Sequence, residues 1–265
     1  MKLIVLCDNN TFIDNYLLGE PALSYYIQNG KDKILFDLGY STVYKINAKR
    51  LNIDITNVNK IAFSHGHDDH TRGLKYLPKE CKPLVYYTPQ LFEEKWCDGL
   101  KISAPYTLEQ MKCKYKLKEV KNPVEISKNL YYLGPIPRVF KWEKNTSKTQ
   151  HIVNGKLQYD EMPDDTALCY VADDGIVIIQ GCSHSGICNT CEYAKRLFNK
   201  PIKCIIGGFH IMSLDDKAKH TIKYFQKQQN IQLYPCHCTC LEVKAALINT
   251  NLNVQDVGSG LILEF

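Results

Sequence analysis

The chain lacks an apolar opening of any length. Its first residues, MKLIVLCDNN, hold one lysine and a short apolar run, Leu3 to Leu6, that ends at Cys7 and Asp8. That is too short for a secretory leader or a membrane span, so a cytoplasmic protein with no membrane partner is expected. A strong charge of one sign is also missing. The 33 basic residues stand against 28 acidic ones, a formal net charge of +5. This is not the footprint of a dedicated nucleic-acid binder, and it suits a small anionic substrate. Nor is there a compositional bias, since 45% hydrophobic and 23% charged residues exclude disordered and fibrous classes. A length of 265 residues fits a single domain over residues 1–265. The 12 cysteines, scattered from Cys7 to Cys240 without an export signal, read as reduced thiols from a reducing or anaerobic cell.

Histidine is scarce, with 8 in 265 residues, yet three fall within six positions. The stretch SHGHDDHTRGL, Ser64 to Leu74, places His65, His67, Asp68, Asp69 and His70 together. A solvated polar turn has no need of histidine. Two imidazoles at i and i+2 on a turn can face one cation, with Asp69 and His70 pointing toward a neighbouring one.

The rest of the chain sorts its histidines the same way. Strands are expected at Lys2–Leu6, Ala22–Gln28 and Lys33–Asp37, with Asn29-Gly30 as a hairpin turn. Ser41 is positioned to cap a helix through Val43, Ile46, Ala48 and Leu51. Lys60–Phe63 is a short strand that runs into the His/Asp cluster, with a helix from about Thr71. Residues 84–87 form another strand. The stretch KCKYKLKEVK, residues 112–121, alternates lysine with less polar residues and reads as a strand with one basic face, best explained as a protected sheet edge. Residues 131–150 are rich in proline, aromatics and basic side chains without a clean period. They are expected to form a long loop or lid, in which Arg138, Phe140 and Trp142 either grip a substrate or anchor the loop.

Further on, a hairpin over Ala167–Val171 and Ile176–Ile179 ends at Gly181-Cys182-Ser183-His184. Strands at Lys203–Ile206 and Ile231–Tyr234 end at His210 and His237. Helices are expected at Ile187–Phe198, about Asp215–Gln228, and Cys240–Ile248. Six of the 8 histidines thus lie at strand-to-helix turns, where open α/β layers place their ligands. Imidazole and carboxylate donors suit Zn²⁺, Mn²⁺ or Fe²⁺, and a pair of such ions with an activated hydroxide makes hydrolysis the natural output.

His65-x-His67-x-Asp69-His70 after a strand resembles the signature of the metallo-β-lactamase superfamily. LFDLG (35–39), NAKRLNID (47–54), GPIPRVFKWE (134–143), PDDTAL (163–168), GCSHSGICNT (181–190), GGFH (207–210) and PCHCT (235–239) extend the likeness over nearly the whole chain. They follow the order of the subgroup resembling 7,8-dihydropterin-6-yl-methyl-4-(β-D-ribofuranosyl)aminobenzene 5′-phosphate synthase. The resemblance implies a four-layer αββα sandwich holding two divalent metal ions, with zinc first and manganese or iron as alternatives. By resemblance His65, His67 and His184 hold the first ion, and Asp69, His70 and His237 the second. Where the superfamily carries a bridging aspartate this chain has Cys182, which by resemblance is either a thiolate bridge or a bystander, with Asp165 as a possible carboxylate substitute. Asp37 is assigned to orient a ligand histidine. Asp69 and His210 are the catalytic candidates, and Arg138 and His210 the substrate contacts.

The implied activity is hydrolysis of a phosphodiester or another small anionic molecule. A phosphoribosyl-type transfer in pterin cofactor biosynthesis, and a di-iron redox protein on the same fold, are the alternatives. The redox relatives typically carry glutamate where this chain has His67. A thiolate cluster on Cys188, Cys191, Cys236, Cys238 and Cys240 fits no cluster spacing. A non-catalytic binding module would have lost ligands that this chain retains.

Overall fold

Short, largely buried runs build the opening meander. In the computed structural model, which describes residues 1–228 and 230–265, Lys2–Cys7 pairs antiparallel with Ser24–Asn29, and Ser24–Asn29 with Asp32–Phe36. The second hairpin turns through Gly30 at φ +58°, a conformation that glycine adopts without cost.

Two compact units make up the chain. The first comprises Met1–Lys121, Lys148–Asp164 and Gly258–Phe265. Its main sheet runs, edge to edge, Ile262–Glu264, Lys2–Cys7, Ser24–Asn29, Asp32–Phe36, Lys60–Ala62, Leu84–Tyr87 and Lys116–Glu119. The first three pairings are antiparallel and the last three parallel. Leu6, Leu35, Ile61, Phe63 and Val85 belong to its core, against which the helix Val43–Arg50 buries Tyr44 and Ala48. A smaller sheet joins Lys156–Tyr159, Gln150–Val153, Lys95–Cys97 and Leu100–Lys101.

The second unit, Asn122–Ser147 and Asp165–Val257, follows the same plan in reverse. Its sheet runs Asn253–Val254, Gln232–Pro235, Ile202–Gly207, Gly175–Gln180, Ala167–Ala172, Leu130–Tyr132 and Val124–Ser127, with three parallel pairings followed by three antiparallel ones. Gly175–Gln180 is buried along its whole length, as a strand covered on both faces must be. The helices Ile187–Phe198, Asp216–Gln226 and Leu241–Ile248 supply Cys191, Ala194, Ala218, Phe225, Val243 and Leu247 to its core.

Four local expectations need correction. The strand read over residues 112–121 starts only at Lys116, because Thr107 and Gln110 form a reciprocal capping box that nucleates a helix over Leu108–Lys114. What remains, Lys116–Glu119, is the outermost strand with exposed lysines, as a protected edge requires. The helix expected from Thr71 begins at Asp68 and tightens into a 3₁₀ turn over Arg72–Tyr76. Ser41 sits one residue before the helix cap at Thr42, although its hydroxyl accepts from the Val43 N–H. Within residues 131–150, Leu130–Tyr132 and Gln150–Val153 are strands and the stretch between them carries no helix or strand. Phe140 and Trp142 pack on the core of the second unit, which makes them anchors of that stretch.

Candidate metal centre

The strand Lys60–Ala62 is three residues long, and its continuation turns at once into Ser64-His65-Gly66-His67. Gly66 is required there, since a Cβ would stand 2.1 Å from the Leu91 carbonyl oxygen. The Gly66 N–H donates to Asp164 Oδ2 at 2.8 Å. Asp164 in turn shares the buried Lys95 ammonium with Asp160, at 3.1 and 2.8 Å. Burial pulls the lysine's pKa down, but the two carboxylates outweigh it and lift it above its ordinary value. A solvent-excluded triad therefore fixes the backbone between the two histidines, with burial pushing the Asp164 pKa up and Lys95 opposing it.

Asp37, at φ +57°, sets the histidine tautomers. Its carboxylate accepts from the Ser64 N–H at 2.8 Å, from the Ser64 hydroxyl at 2.7 Å and from His70 Nδ1 at 2.7 Å. Having given its proton to Asp37, the Ser64 hydroxyl accepts from His65 Nδ1 at 2.8 Å. Both His65 and His70 thereby carry their proton on Nδ1 and keep Nε2 as the acceptor nitrogen. His67 differs, because its Nε2 is engaged with the Thr149 hydroxyl at 3.1 Å and its Nδ1 lies 3.1 Å from His65 Nε2. One donor atom each from His65, His67 and Asp69 falls within 4.8 Å of the others, and His70 Nε2 is 3.5 Å from Asp69 Oδ2. Imidazole nitrogens and carboxylate oxygens so converged are donors that divalent cations fit. Asp68 turns aside to Arg72, 3.7 Å away.

In the second unit the turns leaving the parallel strands carry the remaining candidates. The Cys182 sulfur lies within 4.8 Å of a ring nitrogen of His184 and of one of His237. His184 Nδ1 meets Asn145 Oδ1 at 3.2 Å, which leaves Nε2 as its acceptor nitrogen. Asp165 is fully buried and accepts from the Ser185 N–H at 2.8 Å, bracing the turn that bears His184. The His210 ring lies 4.2 Å from that of His184, and its carbonyl accepts from the buried Lys217 ammonium at 3.1 Å. Arg138 is exposed and reaches the His184 carbonyl at 3.4 Å.

Ser183, His210 and His237 all have positive φ, at +61°, +48° and +51°. Each such residue costs about 1 kcal/mol or more, and strain of this kind gathers where side chains must be aimed.

Asn145, Thr149, Lys95 and Asp160 carry no motif and escape a reading of the sequence, and Asp164 lies in PDDTAL without its role being readable there. Glu143 closes GPIPRVFKWE, but its role cannot be read from that stretch. Its carboxylate accepts from the N–H groups of Cys188 and Asn189 at 2.8 and 2.6 Å, at the start of the helix Ile187–Phe198. Asn189 Oδ1 answers by accepting from Val139 and Phe140 N–H at 2.8 and 2.9 Å. Glu143 and Asn189 each fall in a stretch that carries the family likeness, GPIPRVFKWE and GCSHSGICNT, but nothing in either stretch signals that the two are joined. All twelve cysteines are free thiols. Cys188 and Cys191 lie inside a helix, buried and with pKa values pushed well up by that burial, where thiolate ligation is disfavoured.

Comparison with known proteins identifies relatives along nearly the whole chain. An uncharacterized protein of Methanocaldococcus jannaschii is 30% identical over 250 residues, covering 93% of this chain and 94% of the relative. The 7,8-dihydropterin-6-methyl-4-(β-D-ribofuranosyl)-aminobenzene-5′-phosphate synthase of the same organism is 27% identical over 260 residues, covering 90% of this chain and 87% of the relative. A crystal structure described as a metal-dependent hydrolase of the β-lactamase superfamily matches with a TM-score of 0.89 at 29% identity, covering 100% of this chain and 99% of the other. The fold is therefore of the metallo-β-lactamase type. The profile of the metallo-β-lactamase superfamily matches residues 17–198, and the chain belongs to that superfamily.

Proposed function

We propose that the protein is a metal-dependent hydrolase of a small anionic substrate, with phosphodiesters foremost, acting in the cytoplasm. The observation that carries this reading is the donor set of His65, His67 and Asp69, converged within 4.8 Å on one turn. Two divalent ions are assigned, zinc ahead of manganese or iron. His65, His67 and His184 serve the first, and Asp69, His70 and His237 the second. Between the two candidate bridges we favour Cys182, whose sulfur neighbours both His184 and His237, whereas Asp165 commits an oxygen to the Ser185 N–H. Bound ions of this kind lower the pKa of a water and offset charge developing on a phosphoryl or carbonyl group.

The remaining work falls to side chains. Asp37, Ser64, Thr149 and Asn145 hold the histidine rings in their tautomers and orientations. Asp69, whose carboxylate is 29% exposed, is assigned to hold the proton of the attacking water. His210 is assigned to contact the substrate and to deliver a proton to the leaving group, which is work suited to an imidazole near neutral pH. Arg138 is placed to hold an anionic group.

His67→Ala is expected to abolish metal-dependent turnover. Undiminished phosphodiesterase activity in that variant would overturn the assignment. A second reading, group transfer, is favoured by the relative named as a synthase. Product analysis separates the two, because hydrolysis incorporates one oxygen from ¹⁸O-labelled water and transfer to another acceptor does not. Elemental analysis of anaerobically purified protein tests the metal. Iron with visible charge-transfer absorption would favour the redox alternative.

A further inference from the structure

The turn that carries the histidines has a second, basic side. Its backbone is tied to the segment after Lys101, with the Asp68 N–H donating to the Ile102 carbonyl at 2.9 Å and His67 bridged to Ser103. Between the two lies an open cleft of about 280 Å³ lined by Asp68, Arg72, Lys75, Lys101, Ser103 and Ala104. Three of those side chains are cations and one is a carboxylate.

The cations are held in different ways. Arg72 spends one nitrogen of its guanidinium on Asp68 and on the Tyr40 hydroxyl and lies over the Tyr40 ring at 4.2 Å, which fixes its plane and leaves other donors in the fork. Lys101 pairs with Glu94, but both are largely exposed, at 52% and 37%, and an exposed pair of this kind yields easily. Lys75 is exposed and has no ion-pair partner among the described residues. Positive charge in a solvated face is normally dispersed among carboxylates. Here it is concentrated in a concave site built on the backbone of the ligand turn.

Its size selects the ligand. At 280 Å³ the cleft lies just under the usual range for drug-sized ligands, so it suits a compact group better than a ring system. Several cations around a small volume match a doubly charged tetrahedral group, and a guanidinium fork matches its oxygens.

We propose that this cleft binds a phosphate monoester group of the substrate, carried a short distance from the bond that is broken. The proposal rests on the reading that the adjoining turn is the metal site. It adds a specificity element to the exposed Arg138, with Lys75, Lys101 and Arg72 selecting substrates that bear a terminal phosphate.

The test separates this from the hydrolase assignment. Binding of inorganic phosphate is measured by calorimetry on the full chain, metal-loaded and after chelation and dialysis. Phosphate is expected to bind the metal-stripped protein, and the double variant Lys75→Gln/Lys101→Gln to bind it on the order of tenfold more weakly, which is the scale of about 1.4 kcal/mol. Lys156→Gln, an exposed lysine of the small sheet, is expected to leave it unchanged. Unaltered affinity in the double variant, or complete loss of phosphate binding on metal removal alone, overturns the proposal. With a turned-over diester in hand, the preference in kcat/KM for a substrate carrying a terminal phosphomonoester over the same diester without it should fall in the double variant, and an unchanged preference also overturns the proposal. Absence of any diesterase activity would count against the hydrolase reading while the calorimetry still decides the cleft.

Discussion

Asp37 occupies a strained backbone position, and its carboxylate accepts three hydrogen bonds that settle the protonation of two histidines. Replacing it with asparagine turns one acceptor oxygen into a donor that faces His70 or Ser64. Partners of this kind change metal affinity by roughly 10–100-fold when removed. Asp37→Asn is expected to lie in that range, read by competition with a chromophoric chelator, with secondary structure unchanged by circular dichroism. An affinity equal to that of the wild type would show that the tautomers of His65 and His70 are set by something else.

At the scale of elements, Glu143 is the buried carboxylate that ties the stretch after Tyr132 to the start of the helix Ile187–Phe198. Burial is the main influence on Glu143 and pushes its pKa up to about 7, while the N–H groups of Cys188 and Asn189 and the charge of Lys217 pull the other way. A carboxyl raised in the folded state keeps its proton where the unfolded chain, near 4.5, has released it. Its contribution to stability is therefore full below that value and is lost as pH rises through the folded value. The stability of the wild type relative to Glu143→Gln should fall by about 3 kcal/mol between the two pKa values, measured by denaturant unfolding at several pH values. A difference that stays flat across that window would mean that Glu143 is ionised throughout.

The same scale shows what could be read in advance. Ile187–Phe198 was legible to the residue, because a glycine precedes it and its apolar residues recur at helical spacing. The histidine turns were legible because each closes a short apolar strand. The small sheet of Lys95–Cys97, Leu100–Lys101, Gln150–Val153 and Lys156–Tyr159 was not. Its strands are only two to four residues long and mostly exposed, so local pattern says little and pairing between distant segments decides. Lys95 shows the limit most clearly. A lysine in sequence reads as surface, and only the fold reveals that Asp160 and Asp164 enclose it. At the candidate centre the donors were legible and their supports were not, since Thr149 and Asn145 reach His67 and His184 from loop positions 82 and 39 residues away.

For the molecule as a whole, any ion that binds the folded chain and not the unfolded one raises stability by mass action, about 2.7 kcal/mol at a hundred times its dissociation constant. For a chain of this length that corresponds to roughly 5–10 °C in Tm. Chelation of anaerobically purified protein is expected to lower Tm by that order, and the same treatment of His67→Ala to change it far less. A wild-type Tm indifferent to chelator would remove the support for a resident metal. Among the described residues no helix is long and apolar enough to cross a membrane.

The strand Lys2–Cys7 has Ser24–Asn29 on one side and Ile262–Glu264 on the other. The first of these neighbours is close in sequence, while the second lies far along the chain. Until that distant segment pairs, one flank of an apolar strand is an open row of amides and carbonyls, the kind of edge that recruits other chains. Pairing of Ile262–Glu264 is therefore also a cap on that flank, so weakening it is expected to expose an edge prone to association as well as to loosen the sheet.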